Sequence, residues 1–407
     1  MHAIPEGISL EQARELLFGI PISHETTSVP ISAACGRILA QDYYAPCGLP
    51  IFSKSPLDGY AFRSRDSAGA SHERPVVLEV IEEIRAGDYP ENELGPLQAA
   101  KILTGAPIPV GADAVVRYED TVFTPEKVEI FSTYSSDTNI IHEGEDMKKG
   151  ALAASSGTCV TPPTAGLLAS LGYSSLEVYQ RPSIALISTG NELVEPGEPL
   201  APGKIYNSNL YTIGSYIEAT GAELSHIGLA EDTDDAIASQ ILAAVEGSQM
   251  IVTTGGVSVG DYDRVRTALE SLGAEILFWG IALKPGSALL AALLQGRLIL
   301  GLSGNPGSAA TALHLLGIPY IRKLCGRNDV LPVPVQAALI EDFNKSSPNR
   351  RYLHGKIVYQ EGRTYFSLTG HQGNNVISSF VGSDALAEIP AGSPPLPAGS
   401  ILNTYFI

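Results

Sequence analysis

Three stretches of this 407-residue chain place glycines, hydroxyls and carboxylates at the ends of apolar runs, an arrangement suited to phosphate esters. In IVTTGGVSVGDYD (251–263) an apolar run ends at Thr253 and Thr254, and Gly255, Gly256 and Gly260, with Ser258 among them, let backbone N–H groups close on a ligand. Asp261 and Asp263 beside that loop are carboxylates able to hold Mg²⁺ against phosphate oxygens, or one of them simply caps the next helix. In LSGNPGSA (302–309), Asn305 is placed as an N-cap and Pro306 as the first helical residue, so Ser303, Gly304 and Ser308 surround a helix start with a positive dipole end. Two such loops on one sheet suit a ligand with more than one phosphate, or a phosphate plus another anion. STGNEL (188–193) contributes Thr189, Gly190 and the carboxylate of Glu192, and Asp232 follows a later apolar run. Lys284, in ALKPGS, supplies a point cation suited to an oxyanion.

Other chemistries have little support. The eight histidines are scattered, no Cys–His pair or G-x-S-x-G elbow occurs, and Cys35, Cys47, Cys159 and Cys325 form no C-x-x-C pair, so they read as buried reduced thiols. The balance of 26 basic against 44 acidic residues, net −18, excludes a general nucleic-acid or membrane-surface binder and leaves any anion to a few local groups. The N-terminus lacks a leader pattern and no apolar run reaches membrane-span length, so a soluble cytoplasmic protein is expected.

The elements that position these residues are legible as patterns. Ser9 and Gln12 form a capping box before a helix through Phe18. From Pro46 to about Gly144, short alternating runs broken by Gly, Pro and Asp read as a small β domain, and helical spacing returns at 163–171, where it is expected to pack on the first helix. From Arg181 strands alternate with helices: 183–189, 209–219, 223–229, 234–245, 249–254, 262–272, 298–302 and a last helix from Pro306. Such alternation predicts a parallel sheet covered on both faces, with ligands beyond the carboxyl ends of its strands. After Gly326 six basic residues balance six acidic ones, and short runs predict an all-β C-terminal domain.

Taken in order, SPLDGYAF, ILTGAPIPVGADAVV, GEDMKKG, STGNEL, TTGGVSVGDYD, LKPG, GLSGNPGSA and HQGNNVISS resemble the MoeA-type molybdopterin molybdenumtransferases and the E domain of gephyrin, over essentially the whole chain. The first three would pass as loops if read alone. The resemblance implies an α/β plus β, multidomain, elongated homodimer. Its parts would be a discontinuous N-terminal helical domain (1–45 and 147–178), an inserted β domain (46–146), a molybdopterin-binding α/β domain (179–326) and a C-terminal β-barrel-like domain (327–407). It implies insertion of molybdate into adenylylated molybdopterin with Mg²⁺-dependent release of AMP. The family's functional acids fall on Asp58, Asp146, Glu192, Asp232 and Asp261, with Thr104 beside them and Lys284 facing the anion; Glu192 and Asp261 would hold the metal. Asp58, Thr104 and Asp146 would act on the other subunit's site. Other cofactor-biosynthesis proteins and apo-molybdoenzymes would be its partners.

Three departures cluster where the family binds the oxyanion: Ser287 replaces a second lysine, Asn374 a serine and His354 an arginine. Loss of cations weakens the hold on a divalent oxyanion unless His354 is protonated. The alternatives are therefore a molybdopterin-nucleotide carrier that inserts no metal, and a transferase for tungstate.

Overall fold

A computed structural model describes residues 4–257 and 264–407. Its centre is a seven-stranded sheet in the spatial order Glu6–Ile8, Glu275–Ile281, Leu289–Leu294, Arg297–Leu302, Met250–Thr254, Ser183–Thr189, Glu223–Ala230. The last four strands run parallel, as the alternation predicts. The sheet as a whole is mixed, because Leu289–Leu294 pairs antiparallel with both its neighbours. That strand and its partner Glu275–Ile281 are not among the elements that the strand–helix alternation predicts.

Helices cover both faces. Along Ser183–Thr189, Ile184 and Leu186 point into a core shared with α1 (Leu10–Phe18), α3 (Ser208–Ala219), α6 (Pro306–Ala312) and α7 (Ile318–Leu324). Ala185 and Ile187 face the opposite core, built with α4 (Asp234–Val245) and α5 (Arg264–Ser271). Alternate burial on both sides is why this strand reads as a continuous apolar run. A π-helical turn, Leu313–Gly317, joins α6 to α7, and Arg14 of α1 donates to its Leu315 carbonyl at 3.0 and 3.1 Å.

The capping box of α1 is present, with Gln12 N–H donating to Ser9 Oγ at 3.1 Å and Ser9 N–H to Gln12 Oε1 at 3.0 Å. The expected packing of α1 on α2 (Pro162–Ser170) does not occur. Leu10, Ala13 and Leu17 join the α/β core, whereas Leu168 packs in a separate cluster with Leu39, Val160 and Val178. The strand Glu6–Ile8 extends the sheet edge and carries α1 with it, a pairing that three residues of sequence do not announce.

The inserted β domain is a six-stranded sheet in which Gly59–Phe62 lies between Ala114–Arg117 and Gln98–Ile102. The C-terminal domain is a closed five-stranded barrel: Arg350–Gln360, Arg363–Leu368, Val335–Leu339, Ile401–Phe406 and Ala385–Ile389, the last pairing back onto the first. Closure leaves no unpaired edge in the ring. Tyr352 and Leu386 on its outer face enter the α/β core, so barrel and sheet layer share packing. Of the thiols, only Cys325 is buried, and burial pushes it up to about 11; Cys35 is exposed, and Cys47 and Cys159 are half-buried. Among the described residues no helix is long and apolar enough to cross a membrane.

Candidate functional site

Four adjacent parallel strands end on one side of the layer, and their following loops enclose a cavity of about 550 Å³. Thr189, Gly190 and Glu192 follow the Ser183–Thr189 strand, Gly255 and Gly256 follow Met250–Thr254, Ser303 to Pro306 follow Arg297–Leu302, and Asp232 follows Glu223–Ala230. Neighbouring parallel strands must deliver their loops to the same edge, so residues distant in sequence meet there.

Two glycines are required by geometry. Gly255 has φ +94°, and a Cβ there would stand 2.4 Å from the Thr189 carbonyl oxygen. Gly190 has φ +147°, and a Cβ would meet the Glu192 carboxylate at 2.6 and 2.8 Å, so that carboxylate folds back over bare backbone.

The polar groups are only partly satisfied internally. Asp232 N–H donates to Asn191 Oδ1 at 3.0 Å, while its own Oδ1 is shielded from solvent and has no hydrogen-bond partner among the described residues. The helix start of α6 uses two of its N–H groups within the protein: Asn305 N–H donates to Ser303 Oγ at 3.2 Å, and Ser308 N–H to the Asn374 carbonyl at 3.1 Å. Ser308 is thus buried beneath the barrel, and it is not among the residues lining the cavity.

A side lobe of about 70 Å³ shares Thr189, Glu192, Ile205, Gly304 and Pro306 with the main cavity. Two asparagines in it, Asn207 and Asn209, were not singled out from the sequence. Asn207 Oδ1 accepts from Leu210 N–H and from Ser188 Oγ–H, both at 3.2 Å, and Thr254 donates in turn to Ser188 Oγ. A backbone N–H can only donate, so the Asn207 orientation is settled and its Nδ2 is left as a free donor. Asn209 Nδ2 donates to the Gly304 carbonyl at 2.8 Å, which leaves its Oδ1 as a free acceptor. Neither free atom has a hydrogen-bond partner among the described residues. The "NSN" run (207–209) was a signal available in the sequence, because an N-cap asparagine faces the same edge as the strand-end loops.

The remaining expected residues lie elsewhere. Ser258, Gly260 and Asp261 fall outside the described residues. Asp58 and Thr104 meet in the inserted domain, where Asp58 Oδ1 accepts from Thr104 N–H at 2.7 Å and from its hydroxyl at 2.8 Å. These two bonds, the backbone one first, hold the Asp58 carboxyl below the usual aspartate range. Asp146 is exposed, and its N–H donates to the Leu49 carbonyl at 2.9 Å in a loop bridged to the same region through Lys54, which pairs with both Pro107 and Ile141. None of the three lines the cavity of its own chain.

Lys284 and Ser287 are exposed on the connection between sheet and barrel, where Lys284 sits in register with Arg351. Neither lines the cavity; their neighbour Ala288 does, and Asn375 lines it where Asn374 does not. The expectation of a protonated His354 fails. The ring is 1% exposed, tilted over Phe380 with centroids 3.8 Å apart, and burial pushes its pKa down to about 4, so it is neutral near pH 7. Its Nε2 is engaged with Thr311 Oγ1 at 2.9 Å.

The described lining of the main cavity therefore carries two carboxylates, Glu192 and Asp232, and no Lys or Arg. Among the described residues no three His, Cys, Asp or Glu side chains come together as a metal site; Glu192 and Asp232, whose Oδ1 is shielded and unpaired, are hard oxygen donors that would need a further ligand to hold a divalent cation.

An acid-lined, glycine-floored crevice at the carboxyl edge of a mixed α/β sheet, which a loop of the C-terminal barrel reaches through Asn375, in a chain that also carries a separate β insert, defines a multidomain protein of the α/β class. Comparison with known proteins makes this particular. Residues 8–172 match the MoeA N-terminal region (domains I and II), 185–323 a probable molybdopterin-binding domain, and 336–406 the MoeA C-terminal region (domain IV). The chain is 36% identical to a molybdopterin molybdenumtransferase of Bacillus subtilis over 94% of its length and 90% of the relative's, and 33% identical to one of Staphylococcus aureus over 97% and 94%. A crystal structure of a molybdopterin biosynthesis MoeA protein from Pyrococcus horikoshii superposes with TM-score 0.83 at 32% identity, covering 98% of this chain and 99% of that one. The chain belongs to the MoeA family.

Proposed function

We propose that this protein is a molybdopterin molybdenumtransferase of molybdenum cofactor biosynthesis, which inserts molybdate into adenylylated molybdopterin and releases AMP. The observation that carries the reading is the convergence of Thr189, Gly190, Glu192, Asp232, Gly255, Gly256 and Ser303 to Pro306 on one cavity, in a chain whose curated relatives bear that enzyme's name.

In this reading the glycine loops after the strands (Gly190, Gly255, Gly256 and Gly304) bind the phosphates through backbone N–H groups. Asn207 and Asn209 read a polar edge of the ligand. Glu192 and Asp261, joined by the unpaired Asp232 carboxylate, would hold Mg²⁺, whose positive charge would favour cleavage of the pyrophosphate. Asp58, Thr104 and Asp146, absent from their own chain's cavity lining, complete the partner subunit's site in a homodimer. Lys284 approaches the oxyanion, with Ser287 and Asn374 beside it. The product passes in the cytoplasm to apo-molybdoenzymes, with other cofactor-biosynthesis proteins as partners. A carrier that inserts no metal is not favoured, because the relatives are named as transferases.

The test is AMP release by the purified protein with adenylylated molybdopterin and Mg²⁺, supplied with molybdate, tungstate or neither, beside an Asp58→Ala control. Oxyanion-stimulated release that the control lacks is the expected result, and the stimulating ion names the substrate. Saturable nucleotide binding with no release under any condition would refute the transferase.

A further inference from the structure

The barrel reaches the cavity through one short loop, and that loop is tied down by a closed ring of contacts. On the barrel side, Gln372 grips the backbone of His354 from both directions: His354 N–H donates to Gln372 Oε1 at 2.8 Å, and Gln372 Nε2 donates to the His354 carbonyl at 3.0 Å. On the α6 side, the loop lands on Gly307, where a Cβ would be 2.8 Å from the carbonyl oxygens of both Gly373 and Asn374, and Ser308 N–H donates to Asn374 O.

The His354 side chain closes the ring. Thr311 Oγ1 donates to the Gly307 carbonyl at 2.7 Å, which uses its single proton. The 2.9 Å contact with His354 is therefore a bond from Nε2–H to Thr311, and His354 is the Nε2–H tautomer. Its Nδ1 is a buried acceptor with no hydrogen-bond partner among the described residues. A ring held neutral by burial can make this bond without bringing a charge to the junction.

We infer that His354 is a positioning residue: through Thr311 and Gln372 it sets the docking of loop 372–375 on the start of α6, and thereby the placement of Asn375 in the cavity. The bond acts on the same helical turn that carries the landing site, because Thr311 and Gly307 are one turn apart. The barrel's group at the cavity is then a neutral amide whose position depends on a residue that does not itself line the cavity.

The role in ligand binding rests on the proposed function, whereas the docking role does not, and two measurements separate them. Amide exchange of the full chain reads docking without ligand: His354→Ala and Thr311→Val are expected to speed exchange at Ser308 by about tenfold, with amides of the Met250–Thr254 strand unchanged and His354→Gln restoring protection. Unchanged Ser308 exchange in Thr311→Val overturns the inference, even if His354→Ala fails to fold. In the AMP-release assay, Thr311→Val and Asn375→Ala are each expected to raise KM about tenfold with kcat little changed, and the double variant to be no worse than either. Multiplying effects would overturn the link to Asn375. If the wild-type chain releases no AMP, the proposed function fails while the Ser308 result still decides the docking role.

Discussion

Asp58 and Thr104 are joined by two hydrogen bonds to one carboxylate oxygen, 2.7 Å from the backbone N–H and 2.8 Å from the hydroxyl. Two donors on one oxygen fix the direction of the other, and they keep the acid ionised well below neutral pH. In the proposed function this exposed, rigidly held carboxylate acts on the site of the partner subunit.

The proposed sharing of sites between subunits has a direct test. Asp58→Ala and Glu192→Ala chains should each be inactive alone, yet a mixed dimer has one intact site. Random reassociation is expected to return about a quarter of wild-type AMP release. No recovery would show that Asp58 does not act across the interface.

Acid should loosen the junction between barrel and α6. His354 is pushed down to about 4 and His314 to about 3, each mainly by burial. Between those values and the unfolded value near 6.5 the unfolded chain binds more protons than the folded one. Stability is therefore full above about pH 6.5 and is lost as pH falls toward 4, with about 2 kcal/mol lost per histidine at pH 5. Urea unfolding followed at pH 7 and pH 5 measures the loss, and His354→Gln should remove its share. Equal slopes in the two proteins would contradict the assignment.

Gly255→Ala should damage fold and site together. The new Cβ would press on the Thr189 carbonyl at 2.4 Å in a left-handed conformation, at a cost of at least about 2 kcal/mol. A lowered denaturant midpoint together with weaker nucleotide binding is expected. Gly273→Ala, where a Cβ meets nothing within 4 Å, controls for backbone conformation alone.

Asn209→Ala removes a free acceptor in the side lobe and strands the Gly304 carbonyl. Loss of one hydrogen bond to ligand corresponds to about a tenfold rise in KM. Titration calorimetry with adenylylated molybdopterin would read the same change in affinity, and wild-type affinity would remove Asn209 from the site.

Local order was legible in the sequence because its causes are local. The Ser9–Gln12 capping box, Pro306 at the first turn of α6, the continuous apolar run at 183–189 and the strand–helix alternation that follows each depend on neighbours a few residues away. From that alternation alone, Glu192, Asp232, Gly255 and Gly304 could be assigned to one edge, since parallel strands must end together. What joins distant segments was not legible. That α1 packs on the α/β layer follows from the pairing of Glu6–Ile8 with Glu275–Ile281, and no periodicity in three residues encodes a partner about 270 positions away. The charge state of His354 likewise depends on how deeply Thr311, Phe380 and the barrel enclose it. Residue type and spacing settle which groups are available at the end of a strand; only tertiary burial decides which of them stays charged, which is already bonded, and which is left free to meet a ligand.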